Sequence, residues 1–222
     1  MATKRRTGTA PHTSSGKPVE QPPQVVEDAS PEAVVADFPI VGIGASAGGL
    51  EAFENFFRAC PADTGIAFVL IPHLDPDHKS LLGDILQRAT TMPVVEVVDQ
   101  LRVAPNHVYI IPPNREMGIL HGSLLLSEPM AARGKRMLID SFLRSLASDQ
   151  GEYAAGILLS GTATDGTLGL RAIVDAGGIA LVQEPSTAKF DSMLQSAIAD
   201  GHVTHVLPGR AAIDERRRFH GQ

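Results

Sequence analysis

Seven short apolar runs between residues 39 and 208 alternate with segments of helical periodicity. The runs are continuous in Val, Ile, Leu and Ala rather than alternating with polar residues, which is typical of strands covered on both faces. They span residues 39–45, 66–72, 92–98, 107–113, 153–160, 178–184 and 203–208. The segments with helical spacing are 49–60, 79–89, 136–148, 167–176 and 192–200. This alternation predicts an α/β domain built on a parallel sheet.

One segment between residues 112 and 130 breaks this rhythm. The sequence MGILHGSLLLSEP places two short apolar stretches on either side of His121 and Gly122. A glycine between two such stretches is typical of a β-hairpin turn. We therefore predict an antiparallel hairpin at one edge of the sheet.

The ends of the chain differ from the region between them. Residues 1–37 combine several prolines with many Ser and Thr residues and little apolar periodicity, which predicts a disordered N-terminal tail. Their basic, Ser- and Thr-bearing character could also mimic an organelle transit peptide, but they contain no apolar core of a secretory signal. We predict one folded domain over residues 38–210 and a C-terminal tail over 211–222.

Composition narrows the class of protein. Of the 222 residues, 43% are hydrophobic, which is enough to build a buried core. No apolar run reaches the ~18 residues of a membrane span, so we expect no membrane insertion. The net charge of −6 argues against a nucleic-acid-binding surface. The single cysteine, Cys60, permits no intramolecular disulfide, so we predict a cytoplasmic protein and interpret Cys60 as a small buried hydrophobe.

Three reactive residue types stand at the carboxyl ends of predicted strands, namely Ser46, His73 and Asp165. Ligands of open parallel sheets bind at that edge, so residues far apart in sequence can meet there. A serine hydroxyl needs a base to become a good nucleophile, and imidazole can take and return its proton. A carboxylate on the other ring nitrogen fixes the tautomer of the imidazole. The three residues therefore suggest nucleophilic ester or amide chemistry.

The stretch VGIGASAGGLEAF, residues 41–53, fits two patterns. Gly44, Ser46 and Gly48 fit the G-x-S-x-G turn that exposes a nucleophile, whose helix amides near Ala47 and Gly48 could bind an oxyanion. Gly42, Gly44 and Ala47 fit a dinucleotide-binding turn. The second pattern requires an acidic residue at the end of the next strand, and that strand ends in a histidine. Nucleotide binding therefore stays as the less favoured alternative.

Each candidate also has a structural interpretation. Ser46 could cap the helix that follows it, and Asp165 could cap the helix predicted at 167–176. His73, Asp75 and His78 are reasonable metal ligands, although Pro76 interrupts any regular spacing between them. It is the common placement of Ser46, His73 and Asp165 at strand ends that favours catalysis over these structural interpretations.

At these residues the sequence resembles a known family. The segments GIGASAGGLEAF, IPHLDPDH and LLSGTATDGTLGL are similar to the three motif blocks of the CheB-type protein-glutamate methylesterases, in the same order. The resemblance covers residues 38–209. It implies a doubly wound, mostly parallel sheet with an antiparallel edge hairpin.

The resemblance also implies a reaction. Family members remove methyl esters from glutamates of chemoreceptors in the cytoplasm, and many also deamidate glutamines. Carried over by motif, Ser46 is the nucleophile, His73 the base and Asp165 the orienting carboxylate. No metal and no organic cofactor is implied. A methylated chemoreceptor or another signalling protein is the expected substrate, and a separate response regulator or methyltransferase is an expected partner.

The sequence departs from the family pattern near the site. Ala47 replaces a threonine of the usual G-A-S-T-G-G block, and Thr162 takes the methionine position of the G-M-G-x-D-G block, which neighbours the oxyanion site in the family. Residues 1–37 stand where typical members carry a phospho-receiver domain, so we expect no receiver in this chain. These departures leave a weakly active or inactive signalling module as the alternative function.

Overall fold

The computed structural model describes residues 36–73, 76–129 and 136–207, including all of their side chains except those of residues 76–80. These residues form ten strands, β1 to β10 in chain order. The strands are Ile40–Ala45, Ala67–Pro72, Val94–Glu96, Leu101–Arg102, His107–Ile110, Glu116–Leu120, Ser123–Ser127, Ala154–Leu158, Ile179–Gln183 and His205–Leu207. The predictions that fall on residues 1–35 and 208–222, including both tails, lie outside the described residues.

Five α-helices, α1 to α5, connect these strands. They are Gly49–Ala59, Pro76–Ala89, Leu138–Gln150, Thr167–Asp175 and Ser192–Asp200. Each coincides with a predicted helix to within three residues at either end. Within the described part of the chain, no helix is long and apolar enough to cross a membrane.

Seven strands form one sheet in the order β10-β9-β8-β1-β2-β5-β3, and every pair in it is parallel. From the central strand β1 the chain moves outward through β2 to β3 and β5. It then returns to β8, on the other side of β1, and continues outward to β9 and β10. The chain therefore changes direction between β1 and β8, and such a switch point opens a ligand-binding crevice at the carboxyl ends of the strands. The doubly wound, parallel fold is confirmed.

Helices cover both faces of this sheet and bury two apolar clusters. On one face α1 and α2 pack on the sheet, with Phe56 and Phe57 arranged edge-to-face on Phe68 of β2 at ring-centroid distances of 6.0 and 5.5 Å. On the other face α3, α4 and α5 bury side chains such as Phe142, Leu170 and Met193. The sheet is thus covered on both sides, as the unbroken apolar runs predict.

Helix α3 approaches the central strand unusually closely. A Cβ atom on Gly44 would lie 2.5 Å from Ile139 Cγ2, and one on Gly42 would lie 2.6 Å from Leu143 Cδ2. Both glycines therefore make room for α3. The expectation that Gly44 serves to expose Ser46 is wrong in this respect, because Gly44 lies within regular strand β1 and faces the helix.

The predicted hairpin exists and turns where expected. Strands β6 and β7 pair antiparallel across His121 and Gly122, whose φ angles of 51° and 70° are those of a two-residue hairpin turn. The structure refines its position, since β7 also pairs with β4 and the three strands form a small separate sheet. This small sheet packs through β6 on α3.

Candidate active site

Ser46 follows β1 directly and begins the turn into α1. Its amide donates to the carbonyl of Ser160 at 3.0 Å, and its carbonyl accepts from the amide of Gly49 at 2.8 Å. Gly48, with φ of 72°, is the N-cap of α1. Within the described part of the chain the Ser46 hydroxyl makes no hydrogen bond, so it neither caps the helix nor bonds to His73. The half-buried hydroxyl is therefore available for another partner.

His73 leaves the neighbouring strand at the same level as Ser46. Ala45 and Pro72 are register partners in β1 and β2, and the His73 amide donates to the Ala45 carbonyl at 2.8 Å. The His73 side chain is 36% exposed. The structure thus places the predicted nucleophile and base one residue beyond the same paired position.

Asp165 lies in the turn between β8 and α4, and its side chain is only 3% exposed. Its carboxylate accepts hydrogen bonds from the amides of Ile139 and Asp140, at 3.1 and 2.9 Å, in the first turn of α3. One oxygen lies 3.8 Å from His73 Nδ1, which is close but longer than a hydrogen bond. The alternative that Asp165 caps its own helix is wrong, because the N-cap of α4 is Gly166.

The surroundings of Asp165 act on its charge in opposite directions. Burial raises the pKa of the Asp165 carboxyl, and the neighbouring Asp140 raises it further. The amides of Asp140 and Ile139 and the imidazole of His73 lower this pKa. A helix N-terminus favours a negative charge, so the start of α3 offsets part of the cost of burying the carboxylate.

Asp140 is a second buried carboxylate that the sequence analysis missed. It is 4% exposed, and it accepts a hydrogen bond of 2.6 Å from the Gly169 amide in the first turn of α4. Asp165 therefore caps α3, whereas Asp140 of α3 caps α4. The one signal in the sequence is an acidic residue within the apolar start of a helix, and that pattern is equally typical of an exposed first turn.

The amides around Ser46 are not equally available to bind an oxyanion. The Gly49 amide is already bonded to the Ser46 carbonyl. Among the described residues no acceptor is found for the amides of Ala47 and Gly48. Of the predicted oxyanion residues, Ala47 and Gly48 are thus placed beside Ser46 with their donors unoccupied.

The third predicted oxyanion residue, Thr162, is exposed in the loop after β8. Its neighbour Gly161 lies against the turn that contains Ser46, because a Cβ atom on Gly161 would be 3.1 Å from Ser46 Cβ. The next residue, Ala163, has φ of 68°, which favours glycine, and glycine is what the family pattern G-M-G-x-D-G has there. The loop thus retains the conformation of a glycine-containing turn without its second glycine.

The structure bears on the two alternative functions of this region, dinucleotide binding and metal binding. The dinucleotide pattern is not supported, because Gly42 and Gly44 lie within strand β1 and pack against α3, whereas the pattern needs its glycines in the turn that follows the strand. The metal alternative involves Asp75, which lies outside the described residues, and His78, whose side chain does too. The side chains that the structure does describe contain no group of three metal-ligand residues.

Comparison with known proteins identifies the family of this chain. A family model described as CheB methylesterase matches residues 41–215. The chain belongs to the CheB methylesterase family. The crystal structure of the Thermotoga maritima CheB methylesterase catalytic domain superimposes with a TM-score of 0.77 at 24% identity, covering 83% of this chain and all of that domain. This likeness supports the fold of the CheB-family domain.

Curated relatives of this CheB-family domain are longer proteins. The protein-glutamate methylesterase/protein-glutamine glutaminase of Photorhabdus laumondii is 30% identical over 172 residues, 76% of this chain and 49% of the relative. The protein of the same name from Escherichia coli strain K12 is 28% identical over 211 residues, 93% of this chain and 59% of the relative. An uncharacterized 104.1 kDa protein of Rhodobacter capsulatus is 41% identical over 126 residues, only 13% of its length. The chain thus spans about half the length of the first two.

Proposed function

We propose that this CheB-family domain is a serine esterase that hydrolyses glutamate methyl esters on chemoreceptor-type proteins. The observation that supports the proposal is that Ser46 and His73 follow paired positions of β1 and β2, with the Asp165 carboxylate 3.8 Å from His73 Nδ1. Their residue types are those of a nucleophile, a base and an orienting carboxylate, and the carboxylate lies on the Nδ1 side of the imidazole, where that role requires it.

In the proposed mechanism His73 takes the proton of the Ser46 hydroxyl as the oxygen attacks the ester carbonyl. The amides of Ala47 and Gly48 stabilise the negative oxygen of the tetrahedral intermediate. His73 returns the proton to the departing methoxide, so that methanol leaves and a glutamyl-serine ester remains on Ser46. Water, deprotonated by His73, then hydrolyses this ester to release glutamate and restore the serine.

The 3.8 Å separation and the unbonded Ser46 hydroxyl are compatible with this mechanism. Catalytic hydrogen bonds are often long in a site without substrate and shorten in the complex. Because Asp165 is fixed by two main-chain amides, we expect the partly exposed imidazole of His73 to make most of the adjustment.

The same acyl-enzyme chemistry extends to glutamine side chains, with ammonia as the leaving group instead of methanol. We propose deamidation as a second activity of the site, in line with the paired names of the relatives. The substrate we propose is a methylated chemoreceptor or a related cytoplasmic signalling protein. A response regulator or a methyltransferase is the proposed partner.

The decisive experiment measures methanol release from a methylated receptor fragment. We expect Ser46→Ala to reduce the rate by roughly 10⁴-fold or more, because it removes the nucleophile. A fluorophosphonate should label the parent protein once, on Ser46. Methanol release that is unchanged in Ser46→Ala would overturn the mechanism. Stable folding without turnover or labelling of the parent would favour the alternative of a binding module.

A further inference from the structure

Ser160, the second residue after β8, uses its main chain to hold the nucleophile turn. It is 1% exposed. Its carbonyl accepts the Ser46 amide at 3.0 Å, and its own amide donates to Gln183 Oε1 at 3.0 Å. The Gln183 side chain is in turn anchored on Thr187. Gln183 of β9 therefore fixes the main chain of Ser160, and the Ser160 carbonyl in turn fixes the amide of Ser46.

The Ser160 hydroxyl makes a second connection to the same turn. Its oxygen lies 2.9 Å from the Ala47 carbonyl and 3.3 Å from the Phe190 carbonyl, and it accepts the Phe190 amide at 3.0 Å. A hydroxyl has only one proton to donate. The shorter contact indicates that this proton is donated to the Ala47 carbonyl. The Phe190 amide, which donates to the same hydroxyl oxygen, holds the hydroxyl in place.

Holding the Ala47 carbonyl determines where the next amide points. A peptide unit is planar and trans, so its N–H is directed away from its C=O. The N–H of the peptide that carries the Ala47 carbonyl belongs to Gly48, one of the two unoccupied donors beside Ser46. A carbonyl bonded to buried Ser160 therefore directs the Gly48 N–H to the opposite side, away from Ser160.

This peptide unit would otherwise reorient easily. Rotation of a peptide in a tight turn changes ψ of the residue before it and φ of the residue after it, and glycine accepts either sign of φ. Residue 48 is a glycine with φ of 72°, and a Cβ atom there would lie 2.8 Å from the Ser160 hydroxyl oxygen. The hydroxyl is thus the contact that selects one orientation of an intrinsically mobile peptide.

We propose that Ser160 is a positioning residue that locks the Ala47–Gly48 peptide so that the Gly48 amide faces the oxyanion. This inference rests on the proposed esterase function of Ser46. It assigns to Ser160 a role in stabilising the transition state, and none in binding the ester in its ground state.

The test compares Ser160→Ala with Ser160→Thr and with a matched serine elsewhere. Ser145 offers the match, because its hydroxyl accepts the Ile119 amide at 3.1 Å and donates to the Phe142 carbonyl at 2.8 Å, outside the site. Hydrolysis of p-nitrophenyl acetate is measured as separate kcat and KM values. Melting curves of every variant show whether it folds at the assay temperature.

We expect Ser160→Ala to lower kcat roughly 10- to 100-fold with KM within about twofold of the parent, because a misdirected donor is lost to the transition state only. Ser160→Thr keeps a hydroxyl and should restore most of kcat. Ser145→Ala should lose comparable thermal stability and keep its kcat. The rate of Ser46 labelling by a fluorophosphonate should fall with kcat in Ser160→Ala.

A kcat of Ser160→Ala within twofold of the parent would overturn the proposal, as would an equal loss in Ser145→Ala. The proposed function fails separately, through a Ser46→Ala variant that retains full activity. An active parent whose turnover depends on Ser46 but is indifferent to Ser160 therefore contradicts this inference alone.

Discussion

The turns after β1 and β8 are built alike but present their polar residues in opposite ways. Each leads from one of two neighbouring parallel strands into a helix whose N-cap is a left-handed glycine, Gly48 with φ of 72° and Gly166 with φ of 96°. In the first turn the Ser46 hydroxyl is left without a partner among the described residues. In the second, Asp165 is buried and bonded to two amides.

The difference comes from what packs on each turn. A Cβ atom on Gly166 would lie 2.5 Å from Leu158 and 2.9 Å from Ile139, both in the apolar core. On Gly48 it would meet the Ser160 hydroxyl at 2.8 Å and Phe190 at 3.2 Å. One turn is therefore closed by α3, whereas the other borders the Ser160 hydroxyl and the exposed Phe190 ring and stays half-buried and accessible. An orienting carboxylate benefits from the first environment and a nucleophile from the second.

The largest effect on activity should follow from removing the negative charge of Asp165 in the turn after β8. Asp165→Asn keeps the size of the side chain and one acceptor for the α3 amides, but it no longer stabilises a protonated His73. We expect kcat for ester hydrolysis to fall by roughly 10³- to 10⁴-fold, the scale seen when the aspartate of a Ser-His-Asp triad becomes asparagine. Steady-state kinetics on a methylated receptor fragment measures this.

Asp149 provides the control for that substitution. Its carboxylate also accepts two main-chain amides from another segment, those of His121 and Gly122, but in the hairpin rather than the site. Asp149→Asn should cost stability and leave kcat unchanged. If both variants lost activity equally, Asp165 would be only a helix cap, and the functional contrast between the two turns would disappear.

A smaller effect separates the two glycines. Alanine is strained at both because of the positive φ, at a cost of about 1–2 kcal/mol. Gly166→Ala adds overpacking in the core, for which we expect a further ~1–3 kcal/mol of lost stability. Gly48→Ala should lose less stability but more activity per folded molecule, because its Cβ displaces the Ser160 hydroxyl. Denaturant unfolding and kcat per active site, titrated with a fluorophosphonate, distinguish the two.

The opposite pattern, a stable but inactive Gly166→Ala and an unstable but active Gly48→Ala, would reverse our assignment of the buried and the accessible turn. Gly65 serves as the reference position. It also has a positive φ, of 71°, but a Cβ atom there would meet nothing within 4 Å. Gly65→Ala therefore reports the cost of the backbone strain alone.

The sequence was sufficient for the parallel sheet and for the placement of Ser46 and His73 directly after neighbouring strands. Continuous apolar runs and strand-end residues are local signals, and the seven strands and five helices follow them closely. The sequence did not predict the packing role of Gly44, because the side chain that packs against it, Ile139, belongs to a helix almost a hundred residues later.

The sequence also did not predict that Asp165 caps α3 while Asp140 caps α4, and the reason is related. Whether an acidic residue in a first turn faces solvent or the amides of a neighbouring helix depends on how two helices pack. Ser160 was passed over similarly, since a serine after a strand shows no sign of which carbonyl its hydroxyl will bind. What local patterns cannot supply is therefore the second layer that fixes the reactive residues.

The smallest effect concerns the pH dependence of stability. Burial raises the pKa of Asp165 above its ordinary value of 3.8, so the folded state holds this proton more tightly than the unfolded chain. The stability that results is complete below pH 3.8 and is lost as the pH rises through the folded pKa. Asp165→Asn lacks this dependence. Its stability relative to the parent should therefore increase as the pH rises from about 4 toward neutrality.

Asp200 gives the control of opposite sign. The hydrogen bond from Arg171 and the one from His202 lower the pKa of Asp200, so its contribution is present above pH 3.8 and is lost only below it. Urea unfolding should therefore show that the advantage of the parent over Asp200→Asn shrinks as the pH falls below about 4, at the opposite end of the range from the effect of Asp165→Asn. A difference between Asp165→Asn and the parent that stays constant from about pH 4 to 8 would mean that the amides of α3 fully offset burial. Burial of the Asp165 carboxylate would then cost the folded state no net stability at neutral pH.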